Sequence, residues 1–93
     1  MDFEWDPMKA DANLRKHGVA FLKAMQVFND LARVELPDVS GDRDEDRWLT
    51  IGRVEPYILL VVFTQRGERI RLISARKADR NEQQTYWNGH VPL

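Results

Sequence analysis

The sequence predicts an α+β fold: a small antiparallel sheet packed by helices on one face, in the order β-α-α-β-β-β-β-α. Three observations carry this. Asp6-Pro7 and Gly18 bracket a helical stretch near the N-terminus. Phe21, Ala24, Met25 and Phe28 recur at the spacing of a helix with one apolar side. From Trp48 to Ser74, strand-like segments are joined by turns too short for anything but antiparallel neighbours. At 93 residues the chain has room for a single domain, 1–93.

Each element has its own signal. Residues 2–5 read as a short strand with Phe3 and Trp5 on one side. Asp6 can accept from the free first-turn amides, and Pro7 suits the first helical position. This helix is expected to reach Lys16 or His17 and stop at Gly18, a left-handed cap. The second helix follows, its apolar side turned to the sheet. Residues 32–36 read as a strand with Ala32, Val34 and Leu36 on one side. Residues 37–46, with proline, glycine and five acids, are expected to form a polar loop.

Residues 48–54 alternate imperfectly and end in the Glu55-Pro56 turn. Residues 57–63 are apolar throughout, the mark of a central strand covered on both faces. Trp48 and Tyr57 are expected in the core. Arg66-Gly67 turns the chain into a strand over 69–74, where Arg69 and Arg71 alternate with Ile70 and Leu72. Helix formers return from about 77 to 87, and residues 88–93 are expected to be a flexible tail.

Composition excludes several classes. With no cysteine there is no disulfide framework, thiol nucleophile or cysteine-ligated zinc. Residues 1–7 are acidic and carry no signal-peptide pattern. The apolar run at 57–63 is far too short to span a bilayer. A cytoplasmic protein with no membrane association is expected.

Net charge is −1, from 14 Lys+Arg and 15 Asp+Glu. That total argues against a nucleic-acid partner, but its distribution does not. Residues 66–80 hold six cations against two acids, and residues 38–46 hold five acids against one arginine. Five of the six cations are arginine (Arg66, Arg69, Arg71, Arg76 and Arg80, beside Lys77), and arginine's planar fork matches phosphate. Two readings stay open. The arginines keep a sheet edge soluble and pair with nearby acids, or the block binds phosphate.

Individual side chains divide in the same way. His17 is either a cation at a helix C-terminus or a general acid or base. Glu45-Asp46-Arg47 is either a loop-edge ion pair or a carboxylate and guanidinium beside a reacting phosphate. Tyr86 is either a packing residue or a phenol reaching a substrate. His90 falls in the tail. No histidine or carboxylate set has metal-ligand spacing, and no Gly-rich phosphate loop is present.

Taken in order, the pieces are Phe3-x-Trp5-Asp6-Pro7-x-Lys9, Asn13-x-x-Lys16-His17-Gly18-Val19-x-Phe21 and Val27-Phe28-x-Asp30. Then come Glu45-x-Arg47-x-x-x-Ile51-Gly52, Val62-x-Thr64-x-Arg66, Ile70-Arg71-x-Ile73-Ser74-Ala75-Arg76-x-Ala78 and Glu82-x-x-x-Tyr86. Over residues 3–86 this resembles BrnT, the ribonuclease toxin family of BrnT/BrnA type II toxin–antitoxin modules, whose fold is similar to that of RelE. The resemblance implies metal-independent RNA cleavage through the ribose 2′-hydroxyl, inhibition of translation, and no cofactor. It implies His17, Glu45, Arg66 and Arg76 as catalytic residues, with Arg47, Arg69, Arg71, Lys77 and Tyr86 binding or positioning RNA. The implied partner is a BrnA-like ribbon-helix-helix antitoxin, through which a higher-order complex would reach operator DNA. The alternative is a non-catalytic module that holds nucleic acid or protein on its basic C-terminal face.

Overall fold

The computed structural model describes residues 1–40 and 46–89. Strand β1 (Asp2–Glu4) leads into α1 (Pro7–His17) and α2 (Phe21–Ala24), which tightens into a 3-10 turn, Met25–Asn29. Strands β2 (Val34–Asp38), β3 (Arg47–Val54), β4 (Tyr57–Arg66) and β5 (Arg69–Lys77) follow, then α3 (Arg80–Trp87). The order matches the sequence reading. Asp6 accepts from the Met8 N–H at 2.8 Å, and Gly18 closes α1 at φ 72°.

The five strands form one sheet in the order β1-β5-β4-β3-β2, with β4 at the centre. Strands β2 to β5 are antiparallel neighbours, but β1 runs parallel to β5, with Phe3 opposite Ile70. The sheet is therefore mixed rather than purely antiparallel. No turn joins β1 to a neighbouring strand, and two helices intervene before the chain returns, so hairpin logic did not reach it.

Helices cover both faces, not one. On the first, Leu59, Val61, Phe63, Ile70, Leu72 and Ala75 pack under Val19, Phe21, Ala24, Val27 and Phe28. On the second, Ile51 and Leu60 meet Ala78 and Tyr86 at the α3 end. The apolar stretch 57–63 of the central strand lies where helices pack on both of its sides.

Other boundaries move for local reasons. The second helix is only one turn of α before the 3-10 segment, where residues three apart eclipse. Phe21, Ala24 and Val27 then share a side; Val27 is fully buried while Met25 is only half-buried. Gly52 gives the 3-10 turn its close approach, since a Cβ there would stand 2.6 Å from Val27 Cγ1. Strand β2 runs through Pro37, which the sequence placed in a loop; at a sheet edge the missing N–H breaks no ladder. Trp48 and Tyr57 are 38 % and 44 % exposed, not core, because both lie near strand ends. From His90 onward, the expected tail falls outside the described residues. Among the described residues, no helix is long and apolar enough to cross a membrane.

Candidate functional site

The face opposite α1 and α2 carries most of the arginines. Strand alternation and register put Arg47, Thr64, Arg66, Arg69, Arg71 and Arg76 on it. Strict alternation alone would separate Arg71 from Arg76, which are five positions apart. A bulge in β5 prevents this: Leu72 pairs with Phe63 and Ser74 with Val62, leaving Ile73 unmatched. Leu72 and Ala75 both point into the core, at 2 % and 1 % exposure, so Arg71 and Arg76 share the outer side.

One row crosses all five strands. Asp38 pairs with Arg47, Thr64 with Arg71, and Arg71 with Glu4. The β3–β4 register brings Arg47 beside Thr64, whose hydroxyl donates to the Asp46 carbonyl at 2.6 Å. The row thus reads acid, arginine, threonine, arginine, acid. Arg71 donates to Glu4 at 2.7 Å, and Arg69 lies 3.9 Å from the same carboxylate. Among the described residues, Arg47 Nε is buried without a hydrogen-bond partner. Asp38 accepts from the amide and hydroxyl of Ser40. The half-buried apolar side chains Leu49, Val62 and Ile73 floor the face between this row and α3.

Arg76 sits at the other end, opposite Leu60, whereas Arg66 lies opposite Arg69. Six residues of β4 separate the two levels, about 20 Å along the strand. Arg76 makes a two-pronged pair with Glu82 of α3, both contacts at 2.8 Å. That bond raises the Arg76 pKa further against the opposing effect of burial. It also holds Glu82 below the usual carboxylate range. Glu82 meanwhile completes a capping box with Asp79, which fixes where α3 begins.

His17 belongs to this second end. Asn13 holds the backbone of Ala75 from the side, and Leu14 and Gly18 line a small cavity of about 260 Å3 with Tyr57 and Lys77. His17, one turn beyond Asn13, therefore stands by the C-terminal end of β5, half-buried. Lys77 itself lies over the Tyr57 ring, 4.2 Å from its centroid.

Tyr86 is a latch. Its buried hydroxyl donates to Asp30 at 2.6 Å, and Asp30 also accepts from the Arg53 and Ala32 amides. Burial alone would raise the Asp30 pKa, but these hydrogen bonds outweigh it and the carboxyl stays low. Burial and the bond to Asp30 push the Tyr86 phenol up to about 12. Below pH 10 both folded and unfolded chains keep the phenolic proton, so the contribution is complete. Above pH 10 the unfolded chain releases it first, and stability falls as pH rises toward about 12. Denaturant titrations are expected to show this loss, up to about 2–3 kcal/mol, in the parent protein and not in Tyr86→Phe.

The structure thus sorts the sequence-predicted residues into two groups. Arg47, Arg66, Arg69 and Arg71 gather at the row, while His17, Arg76 and Lys77 stand at the α3 end. Tyr86 sits on the buried side of α3 with its hydroxyl committed to Asp30, and Glu45 and His90 lie outside the described residues. Sequence reading missed Glu4 and Glu82 as partners of arginines, and Asn13 as the clasp on β5. The Glu82–Arg76 pair had a signal in the strand–cap–helix spacing; the Glu4–Arg71 pair had none, because it depends on the parallel pairing. Among the described residues, no three His, Asp or Glu side chains stand close enough to hold a metal ion.

A family model described as ribonuclease toxin, BrnT, of type II toxin–antitoxin system matches residues 5–82. No curated protein gives a significant match.

Proposed function

The chain belongs to the BrnT family of ribonuclease toxins of type II toxin–antitoxin systems, and from that premise we propose that it cuts RNA without a metal. Its action would halt translation until a BrnA-like ribbon-helix-helix antitoxin binds. Operator DNA would then be reached through that antitoxin. The observation that carries the reading is the outer face itself. Four arginines meet at one end, a fifth stands at the other, and an apolar floor between them is open to bases.

RNA lies along this face, its phosphates on the arginines and its bases against Leu49, Val62 and Ile73. In the reaction the ribose 2′-oxygen attacks its own phosphorus and the bond to the 5′-oxygen breaks. The products are a 2′,3′-cyclic phosphate and a free 5′-hydroxyl. A base takes the 2′-proton, an acid supplies one to the departing oxygen, and cations stabilise the phosphorane. His17 is assigned to proton transfer and Arg76 to the reacting phosphate; Glu45 directly precedes Asp46, which is bonded to Thr64 in the row, so its implied proton-transfer role is not carried to that phosphate. Arg66, which the resemblance implies as catalytic, lies about 20 Å along β4 from the level of Arg76 and is assigned instead, with its neighbours, to the adjoining RNA strand.

Single-stranded RNA incubated with the purified protein in EDTA is expected to yield cyclic-phosphate ends, while a fully 2′-deoxy strand of the same sequence stays intact. Binding without cleavage would favour the non-catalytic module instead. Equal cleavage of both strands would sink the 2′-hydroxyl mechanism.

A further inference from the structure

We propose that Glu4 occupies a phosphate seat, a built-in carboxylate that an RNA phosphate must displace from Arg71. The seat is the centre of the five-strand row. Arg47 and Arg71 flank Thr64 on the two neighbouring strands, about 9–10 Å apart at the backbone, so both guanidinium groups reach the space above β4. Thr64 is short, and its hydroxyl is already given to Asp46. It contributes the site's floor rather than a ligand.

The two arginines differ in how they are matched. Arg47 Nε is buried with no hydrogen bond among the described residues. Arg71 is bound to Glu4 at 2.7 Å, with both side chains about three-quarters covered. A guanidinium recognises carboxylate and phosphate through the same planar fork, so Glu4 holds the geometry that a phosphate would take. The parallel pairing of β1 with β5 sets Glu4 directly opposite Arg71. Glu4 therefore controls how many cations this face offers to an anion. The inference rests on the RNA-cleaving reading and adds to it a carboxylate that tunes substrate hold.

Its signature is ionic. When RNA displaces Glu4, the gain at Arg71 is offset by a carboxylate left to recruit a counterion, so Arg71 adds little to the salt dependence. Glu4→Gln removes the competitor. The probe is a single-stranded oligonucleotide carrying 2′-O-methyl groups throughout, which binds but lacks the nucleophile. Between 50 and 200 mM salt, the slope of log K against log salt is expected to steepen by about 0.7, the single-strand value for one phosphate. At the low-salt end, binding is expected to tighten roughly three- to five-fold, the scale of one exposed ion pair. Glu4→Asp should return both readings to the parent value.

A folded Glu4→Gln protein with the parent's slope would overturn the proposal whatever its melting temperature, because a carboxylate that only staples β1 to β5 changes stability and leaves the slope untouched. Should Glu4→Gln not fold, the reading moves to the arginines with Glu4 intact. Arg47→Gln is expected to flatten the slope by about 0.7 while Arg71→Gln barely changes it. Equal flattening by both overturns the proposal. If the parent protein shows no salt-dependent binding, the RNA reading itself fails and this inference with it; parent binding with the wrong variant slopes defeats this inference alone.

Discussion

Replacing Asn13 by alanine is expected to cost about 3–5 kcal/mol of unfolding free energy, a large share of what a domain this small possesses. Asn13 is 6 % exposed and makes three hydrogen bonds. Its amide donates to the carbonyls of Val19 and Ala75, each at 2.9 Å, and its oxygen accepts from the Ala75 N–H at 3.0 Å. Short β1 pairs only with residues 69–71, so the remaining edge of β5 has no strand beside it. The Asn13 carboxamide takes the place of one residue of that absent strand. Alanine leaves one N–H and two carbonyls without partners, each worth about 1–3 kcal/mol when left unmade. Asn13→Asp should fare no better, since a carboxylate would face two carbonyl oxygens. Urea unfolding at constant m-value measures this directly. A loss below about 1 kcal/mol for alanine would mean that water satisfies the edge and the clasp is dispensable.

The second large effect concerns Arg76. Arg76→Ala is expected to lower RNA cleavage by roughly 10²–10³, the scale on which one preorganised donor stabilises a transition state. The two-pronged bond to Glu82 offers a competing explanation, in which Arg76 merely anchors α3. Glu82→Gln separates the two. A glutamine oxygen still accepts from the Asp79 amide, so the capping box survives, while the charge that holds Arg76 disappears. If Arg76 works on phosphate, Glu82→Gln keeps activity within about tenfold of the parent and Arg76→Ala does not. Parallel losses in both variants, with equal loss of stability, would make Arg76 a helix anchor. Cleavage rates should be taken with the melting temperature of each variant, since Arg76→Ala strands a largely covered carboxylate.

Local signals were legible where the chemistry is local. Pro7 and Gly18 delimit α1 as read, and the uniformly apolar stretch of β4 marks the centre of the sheet. What could not be read depends on partners distant in sequence. Nothing in residues 2–5 says that β1 will lie parallel to β5, so the pairing of Glu4 with Arg71 was invisible. The second apolar helix looked regular because Phe21, Ala24, Met25 and Phe28 fit a 3.6-residue period. Contact with Gly52 instead favours the tighter turn that buries Val27. The basic block was evident as a run of charge, yet its division into a row and a distant Arg76 follows from register. The helix after β5 was legible as helix formers, but which face it covers was not, since Ala78 and Tyr86 suit either.

The unmatched Ile73 gives β5 two parities. Up to Leu72 the even-numbered Ile70 and Leu72 enter the core, and beyond the bulge the odd-numbered Ala75 does. Exposure alone would suggest that Ile73 and Ser74 tolerate change freely, and substitutions by other strand formers should be mild. Length follows the same logic. Removing Ile73 would leave Arg71 and Arg76 four positions apart, so plain alternation would keep both on the outer side and Leu72 and Ala75 in the core. The extra residue is therefore a removable spacer, whose loss would straighten the strand without changing which side chains its two faces carry.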